Sequence, residues 1–238
     1  MPKGRTSYSL GISMAVLLLV LGLYGFLHSP FFTVQIIQAH GSSYTVEKLA
    51  DIAGIEKGTS LLKLDVDMAV RRLELEPIIS RAIIRRHLPD TVYIEVEERR
   101  PIAMVPSGSG FWGVALDGTV LGRVDEGGVS LPIITGIDNE HLMVGSSNVS
   151  ELVMASSIVG GLPAVVRDSV SEVNVRDRDG LKVISRNLVE FHLGGPGRLT
   201  EKLEVVAAFL PRLESVPSPA YTVVDVSNPK RPVVRKLP

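Results

Sequence analysis

The side chains able to do chemistry in this chain are few, and their spacing works against them. His28, His40, His87, His141 and His192 are scattered, and none sits near another at the helix or turn spacing that lets two imidazoles share a metal. There is no cysteine, which removes disulfides, thiolate nucleophiles and cysteine-bound zinc. Ser107-Gly108-Ser109-Gly110 approaches a nucleophile turn, but it lacks the Gly-x-Ser-x-Gly spacing and the strand-to-helix setting that exposes the hydroxyl. Gly194-Gly195-Pro196-Gly197 precedes a helical pattern, as a phosphate cradle would; no Gly-Lys-Ser/Thr ending follows, so it reads as a turn. Glu97 and Glu98 are adjacent, and in a strand adjacent side chains point to opposite faces, so they cannot act as a facing carboxylate pair. Asn148-Val149-Ser150 has the letters of a glycosylation triplet, yet Asn148 and Glu151 stand at capping-box spacing, and a helix cap is the simpler reading. No catalytic, cofactor-binding or metal residue is assigned.

The elements that surround these residues begin with a greasy one. Apolar residues make up 45% of the chain and charged residues 21%, enough to build a core and too few charges for disorder. The net charge of -1 gives no general field for nucleic acid, which is excluded as a partner on that ground. From Thr6 to Val46 there is no Asp, Glu, Lys or Arg, and Leu10 to Leu27 is almost wholly apolar. As helix that run measures roughly 27 Å, just enough to cross a bilayer core. Lys3, Arg5 and the N-terminal amine precede it and Glu47 is the first charge after it, so the positive-inside bias puts residues 1–9 in the cytoplasm, 10–28 in the membrane and the rest outside. The rival is a cleaved signal peptide. The long apolar run and the lack of a small-x-small site between Leu23 and Pro30 favour a retained anchor.

Outside, Phe32 to Ala39 reads as a strand ending at the turn-forming His40-Gly41-Ser42-Ser43. Thr45 caps a short helix that Gly54 stops. A second helix starts near Asp65 with Val66, Ala69, Val70 and Leu73 on one face, and Pro77 closes it. Ile78 to His87 is a strand, Leu88-Pro89-Asp90 a turn, and Thr91 to Glu98 alternates with Val92, Ile94 and Val96 inward. Arg81, Arg85, Arg86 and His87 can be read as a patch for anions or, more simply, as a solvated strand edge whose charges discourage stray pairing. This β-α-α-β-β order over residues 31–99 resembles a POTRA domain. The wording matches too: Phe31-Phe32-Thr33-Val34, Gly54-Ile55-Glu56-Lys57-Gly58, Leu61-Leu62-Lys63-Leu64-Asp65, Leu88-Pro89-Asp90-Thr91, and Glu98-Arg99-Arg100-Pro101-Ile102-Ala103, the last being similar to the ending of the FtsQ-type POTRA domain.

Residues 100–226 change style. Asp117-Gly118 favours a tight two-residue hairpin. Asp177-Arg178-Asp179-Gly180 joins Val170 to Arg176 with Leu181 to Ser185, and Arg186-Asn187 turns into Leu188 to Leu193, which makes a meander. Helices are expected over Asn148 to Ile158 and over Leu199 to Leu210, the latter with Leu199, Leu203, Val206 and Leu210 on a face, and Tyr221 to Val226 is a late strand. The pieces Leu116-Asp117-Gly118-Thr119-Val120, Leu131-Pro132-Ile133-Ile134-Thr135-Gly136, Val189-Glu190-Phe191-His192-Leu193-Gly194, Lys202-Leu203 and Val223-Val224-Asp225-Val226 resemble the β-domain that follows POTRA in the FtsQ/DivIB family. The expected fold class is therefore α+β: one transmembrane helix, a POTRA domain, a mixed β-sheet domain with flanking helices, and a C-terminal strand or tail at 227–238.

The resemblance implies a binding protein of the bacterial divisome, not an enzyme and without a cofactor, in the cytoplasmic membrane at the septum. Its partners would be FtsB/DivIC- and FtsL-type coiled-coil membrane proteins and other divisome proteins. Family members often carry a long cytoplasmic tail, whereas this chain has only about nine residues before the apolar run, so a tail-dependent partner is not expected. By the same analogy the docking edge is the C-terminal strand region, with Ser227, Asn228, Lys230, Arg231, Val233, Val234 and Arg235 as contact residues. The physical mode is strand addition, in which Val233 and Val234 pack and Lys230, Arg231 and Arg235 meet acids. Pro229 and Pro232 lack an N–H and must fall where the strand does not donate. A frayed basic tail is the alternative for this segment. For the whole chain the alternatives are a membrane-anchored cell-wall hydrolase, which lacks a catalytic constellation, and an outer-membrane assembly chaperone, which would need a downstream barrel.

Overall fold

The computed structural model describes residues 5–27, 29–108, 110–124, 131–138, 141–176, 180–214 and 222–236, with the side chains of 5–11, 27 and 236 left undescribed. The chain divides into two compact units, Met1–Glu98 and Arg99–Pro238.

The first unit opens with helix α1 (Arg5–Leu27). Every large apolar side chain described on it, from Ile12 to Phe26, is 53–69% exposed, so the described part of the unit leaves its apolar surface open. Among the described residues no helix is long and apolar enough to cross a membrane. The expected crossing helix over 10–28 is thus not met by the described residues, and the tail residues 1–4 and His28 lie outside them.

Beyond α1 the expected strand from Phe32 is shortened. Pro30 starts a 3-10 turn (Pro30–Phe32), and strand β1 (Ile36–His40) begins only after it. The Thr45 hydroxyl accepts from Lys48 N at 3.3 Å to start α2 (Val46–Ala53), and Gly54 stops it with φ 70°. Asp65 accepts from Met68 N at 3.0 Å at the head of α3 (Val66–Glu74), whose Ala69 and Leu73 are buried. Strands β2 (Ile79–His87) and β3 (Thr91–Glu98) form a hairpin, and β1 lies parallel to β3, so the sheet order is β1-β3-β2. Leu49, Leu61, Leu73, Ile79, Val92 and Ile94 pack into one core beneath the helices, while Tyr93, Glu95 and Glu97 point outward, as the alternation requires. The unit has the POTRA element order.

Among the described residues the second unit is one mixed sheet of nine strands: β4 (Pro101–Ser107), β5 (Gly110–Ala115), β6 (Val120–Arg123), β7 (Ile133–Thr135), β8 (Val170–Asn174), β9 (Leu181–Ser185), β10 (Val189–Gly194), β11 (Thr222–Asp225) and β12 (Val233–Lys236). Their order in space is β12-β11-β10-β9-β8-β7-β4-β5-β6. The meander β8-β9-β10 is antiparallel, whereas β7 pairs parallel with both β4 and β8, and β10 pairs parallel with β11. A parallel pair needs a crossover, and α6 (Leu199–Glu214) supplies it between β10 and β11. Helices α4 (Ser150–Gly161) and α5 (Ala164–Arg167) precede β8. The apolar faces of α4 and α6 and the inward side chains of the sheet, with Phe191 fully buried among them, form the core.

Three expectations are corrected here. The β5–β6 hairpin closes with Ala115 N donating to Thr119 O and Gly118 N to Ala115 O, so residues 116–118 make a three-residue connection instead of two, with Gly118 at φ 83°. The capping box at Asn148 does not form: Asn148 is left-handed (φ 62°), Val149 holds the cap position without a side-chain bond, and Glu151 accepts from Ser150 Oγ. Helix α6 runs four residues past Leu210 and carries Pro211 within it. The expected turn at 177–179 and Ser109 of the Ser-Gly loop lie outside the described residues.

Candidate functional site

The two ends of the nine-stranded sheet are finished differently. At one end β6 is four residues long, and Val120 is bracketed by the following loop: its N–H donates to Ser146 O at 2.9 Å and its carbonyl accepts from Gly145 N at 2.8 Å. Gly122 in this strand sits at φ 108°, which bends it away from a regular ladder. At the other end β12 pairs antiparallel with β11, Val233 opposite Asp225 and Arg235 opposite Val223, and within this unit no described strand pairs with its outer side. A strand held on one side presents unpaired N–H and C=O groups on the other.

The turn that delivers β12 is built by side chains. Ser227 donates to Asp225 Oδ1 twice, from its N–H at 2.9 Å and its hydroxyl at 2.6 Å. Arg231 N donates to Asn228 O at 3.0 Å, and Lys230 N to Asn228 Oδ1 at 3.3 Å. Pro229 is buried in the turn and Pro232 stands just before the strand, so neither occupies a ladder position. Ser227 and Asn228 therefore shape the loop, while Val233, Val234 and Arg235 lie in the edge strand itself, with Val233 49% and Val234 43% exposed. Lys230 and Pro229 border a hollow of 270 Å³ against Glu201, Val205 and Phe209 of α6. The hydrogen bonds from the Ser227 hydroxyl and amide, and then the charges of His192 and Arg235, hold the Asp225 carboxyl below the usual carboxylate range.

One charged cluster is not legible in the sequence. On the face of β10 opposite the core, Glu190 Oε1 lies 2.6 Å from His192 Nε2 and 3.1 Å from Lys182 Nζ on β9, and the residue is only 7% exposed. The sheet register continues the row from Lys182 through His192 to Asp225 and then Val233. The alternation of Glu190 and His192 is the one local signal, because the partner lysine is on another strand. The sheltered carboxylate sits against two basic side chains, and the register carries this row from the middle of the sheet to Asp225 beneath the edge strand.

Two family descriptions match the chain: the POTRA domain, FtsQ-type, over residues 21–99, and cell division protein FtsQ/DivIB, C-terminal, over residues 103–227. The cell division protein FtsQ of Anaeromyxobacter sp. (strain K) is 33% identical over 212 residues, covering 86% of this chain and 70% of that protein. The cell division protein DivIB of Geobacillus kaustophilus is 26% identical over 152 residues, 63% of this chain and 56% of that protein. Among solved structures, the major extracytoplasmic domain of the division protein DivIB from Geobacillus stearothermophilus aligns with 18% identity and a TM-score of 0.29, covering 52% of this chain and 92% of that one. With the C-terminal family description spanning more than half of its length and the Anaeromyxobacter relative matching most of the rest, this chain belongs to the FtsQ/DivIB family of cell-division proteins.

Proposed function

We propose that this protein is a non-enzymatic scaffold of the division machinery whose β12 edge binds the extracytoplasmic part of an FtsB/DivIC- or FtsL-type coiled-coil protein. The observation that carries this reading is the edge strand β12, paired on one side only among the described residues and displaying Val233, Val234 and Arg235. An extended partner segment added there would gain main-chain hydrogen bonds, and the valines and Arg235 would select apolar and acidic side chains in it. The apolar, uncovered α1 supports a single-pass anchor in the cytoplasmic membrane, with the short basic start inside and both units outside, at the septum. The domain limits that go with this reading are 31–99 and 100–226, followed by the strand-bearing C-terminal segment.

The test removes the edge and keeps the rest. The full chain in lipid nanodiscs, ending after Val226, is compared with the parent for binding to the partner's purified coiled-coil ectodomain, with circular dichroism confirming an intact fold. Loss of a four-residue ladder is expected to weaken binding at least about tenfold, from hydrogen bonds worth about 0.5 to 1.5 kcal/mol each. Undiminished affinity in a folded protein would overturn the assignment. Replacing Lys230, Arg231 and Arg235 with glutamate separates side-chain selection from the backbone ladder, because it leaves the strand in place.

A further inference from the structure

The end of the first unit nearest α1 is made of three segments that backbone bonds tie together. Phe32 O accepts from Leu61 N at 2.9 Å, Val34 N donates to Thr59 O at 2.9 Å, and Gln35 N donates to Asp90 O at 2.8 Å. Arg86 Nη2 reaches Leu64 O at 2.6 Å. The chain leaving α1 at Leu27 is therefore bound into the domain by Phe32. The joint itself is packed: the Phe26 ring lies 5.3 Å from Phe32 and 6.2 Å from Phe31, and Phe31 and Phe32 meet edge to face at 5.2 Å. Whatever surface α1 enters must come close to this end of the domain.

The same end turns apolar side chains outward: Phe31, 58% exposed, Leu88, 55%, and Leu62, 38%. Exposed Lys63 follows Leu62, exposed Arg86 stands two residues before Leu88, and exposed Lys57 precedes Gly58, whose N–H donates to Val34 O at 2.8 Å. Among the neighbouring acids, Asp65 caps α3 and the half-buried Asp90 accepts from the Thr91 hydroxyl, while Glu56 beside Lys57 and Asp67 in the first turn of α3 are exposed. Apolar side chains with long cationic ones around them suit a bilayer interface, where alkyl stems lie along the acyl boundary and the charged heads reach phosphate. A surface held next to an anchor also meets lipid at high effective concentration, so weak contacts suffice.

We propose that this end of the POTRA unit, with Phe31, Leu62 and Leu88 at its tip and Lys57 and Lys63 beside them, sits in the headgroup layer of an anionic phospholipid bilayer. The inference rests on the reading of α1 as a membrane anchor. It makes the domain a lipid-seated body with a fixed stance, not a bead on a free linker.

The absence of native cysteine allows a single label at any position. The full chain is reconstituted into vesicles of phosphatidylcholine and brominated phosphatidylglycerol, with a bimane label at Leu62→Cys, at Leu19→Cys in α1, or at Glu47→Cys, which opens α2 at the opposite end of β1. Loss of fluorescence at both Leu19→Cys and Leu62→Cys, with none at Glu47→Cys, is the expected result. Adding Lys57→Glu and Lys63→Glu should relieve the quenching at Leu62→Cys and leave that at Leu19→Cys unchanged. Quenching at Leu19→Cys with Leu62→Cys as bright as Glu47→Cys overturns the inference and spares the anchor. No quenching at Leu19→Cys overturns the anchor, and the inference falls with it. Quenching at Leu62→Cys that survives both charge reversals overturns the headgroup contact.

Discussion

Replacing Asp225 with alanine should loosen the edge strand without unfolding the protein. Its carboxylate accepts two bonds from Ser227, at 2.9 and 2.6 Å, and these close the turn from which β12 returns to pair with β11. Hydrogen bonds to a charged acceptor contribute about 1.5 to 3 kcal/mol when sheltered, but Ser227 is exposed and water competes, so the pair is worth about 1 to 2 kcal/mol in total. The strand opens locally, because the sheet from β4 to β11 keeps its own core. Amide protection at Val233 to Arg235 should then fall about 5- to 30-fold, while that of Val183 and Phe191 holds, which hydrogen exchange read by mass spectrometry resolves. The sign with pH is fixed by the lowered pKa. The unfolded carboxyl binds protons more readily than the folded one, so the contribution is complete above the unfolded value of about 3.9 and is lost as pH falls through the lower folded value. Protection at the edge, corrected for intrinsic exchange, should therefore decline in strong acid in the parent and show no such decline in Asp225→Ala. Equal protection of the edge in parent and variant would refute the idea that this carboxylate holds the strand.

Three other substitutions test how each unit is held. Glu98→Ala removes an oxygen that accepts from Ser42 Oγ at 2.7 Å and from Ser43 N and Oγ at 2.6 and 2.8 Å, and should destabilise the first unit by about 2 to 3 kcal/mol in urea titration. Gly41→Ala places a methyl 2.0 Å from the Val96 carbonyl oxygen at φ 88°, a clash with backbone that should cost more than about 2 kcal/mol and lower the melting temperature of the same unit. Phe191→Ala opens a cavity in the centre of the second unit and should cost about 3 to 5 kcal/mol; a loss below about 1 kcal/mol would mean the core collapses around it.

What could be read from the sequence follows the range of the force concerned. Thr45, Gly54 and Asp65 declare their helix ends because a cap is made within four residues, and the alternation of Val92, Ile94 and Val96 declares a face because side-chain direction is local. Phe32 reads as strand on its residue type, and the structure turns it into a 3-10 turn because Pro30 begins that turn and the Phe26 ring packs against it. The spacing of Asn148 and Glu151 suggests a cap, whereas Asn148 is left-handed and Val149 takes the cap position instead. Nothing local announces that the three residues of β7 slot between β4 and β8, since that pairing joins strands far apart in the chain. In the candidate site, Val233 to Arg235 are legible as a strand after two prolines, but the support beneath them, from Lys182 through His192 to Asp225, exists only once three strands are laid in register.

That register bears on which end of the sheet can take a partner. An open strand edge is a hazard, because any extended chain can pair with it, and folded proteins shorten, bend or cover such edges. The second unit does this at β6, with a glycine at φ 108° and a loop bonded to both backbone groups of Val120. Among the described residues nothing comparable stands at β12, where instead a buried proline and two serine bonds to one carboxylate hold the turn that delivers the strand. Chain ends fray unless something fixes them, and here the fixing groups are directed to the side of β12 that faces its own sheet. Such an arrangement lowers the entropy lost when a second strand docks, because the first is already ordered. The same groups that make β12 rigid therefore set its affinity for a partner, so Asp225→Ala should weaken partner binding by a factor no larger than its loss of edge protection. A larger loss would mean that the Asp225 carboxylate touches the partner directly.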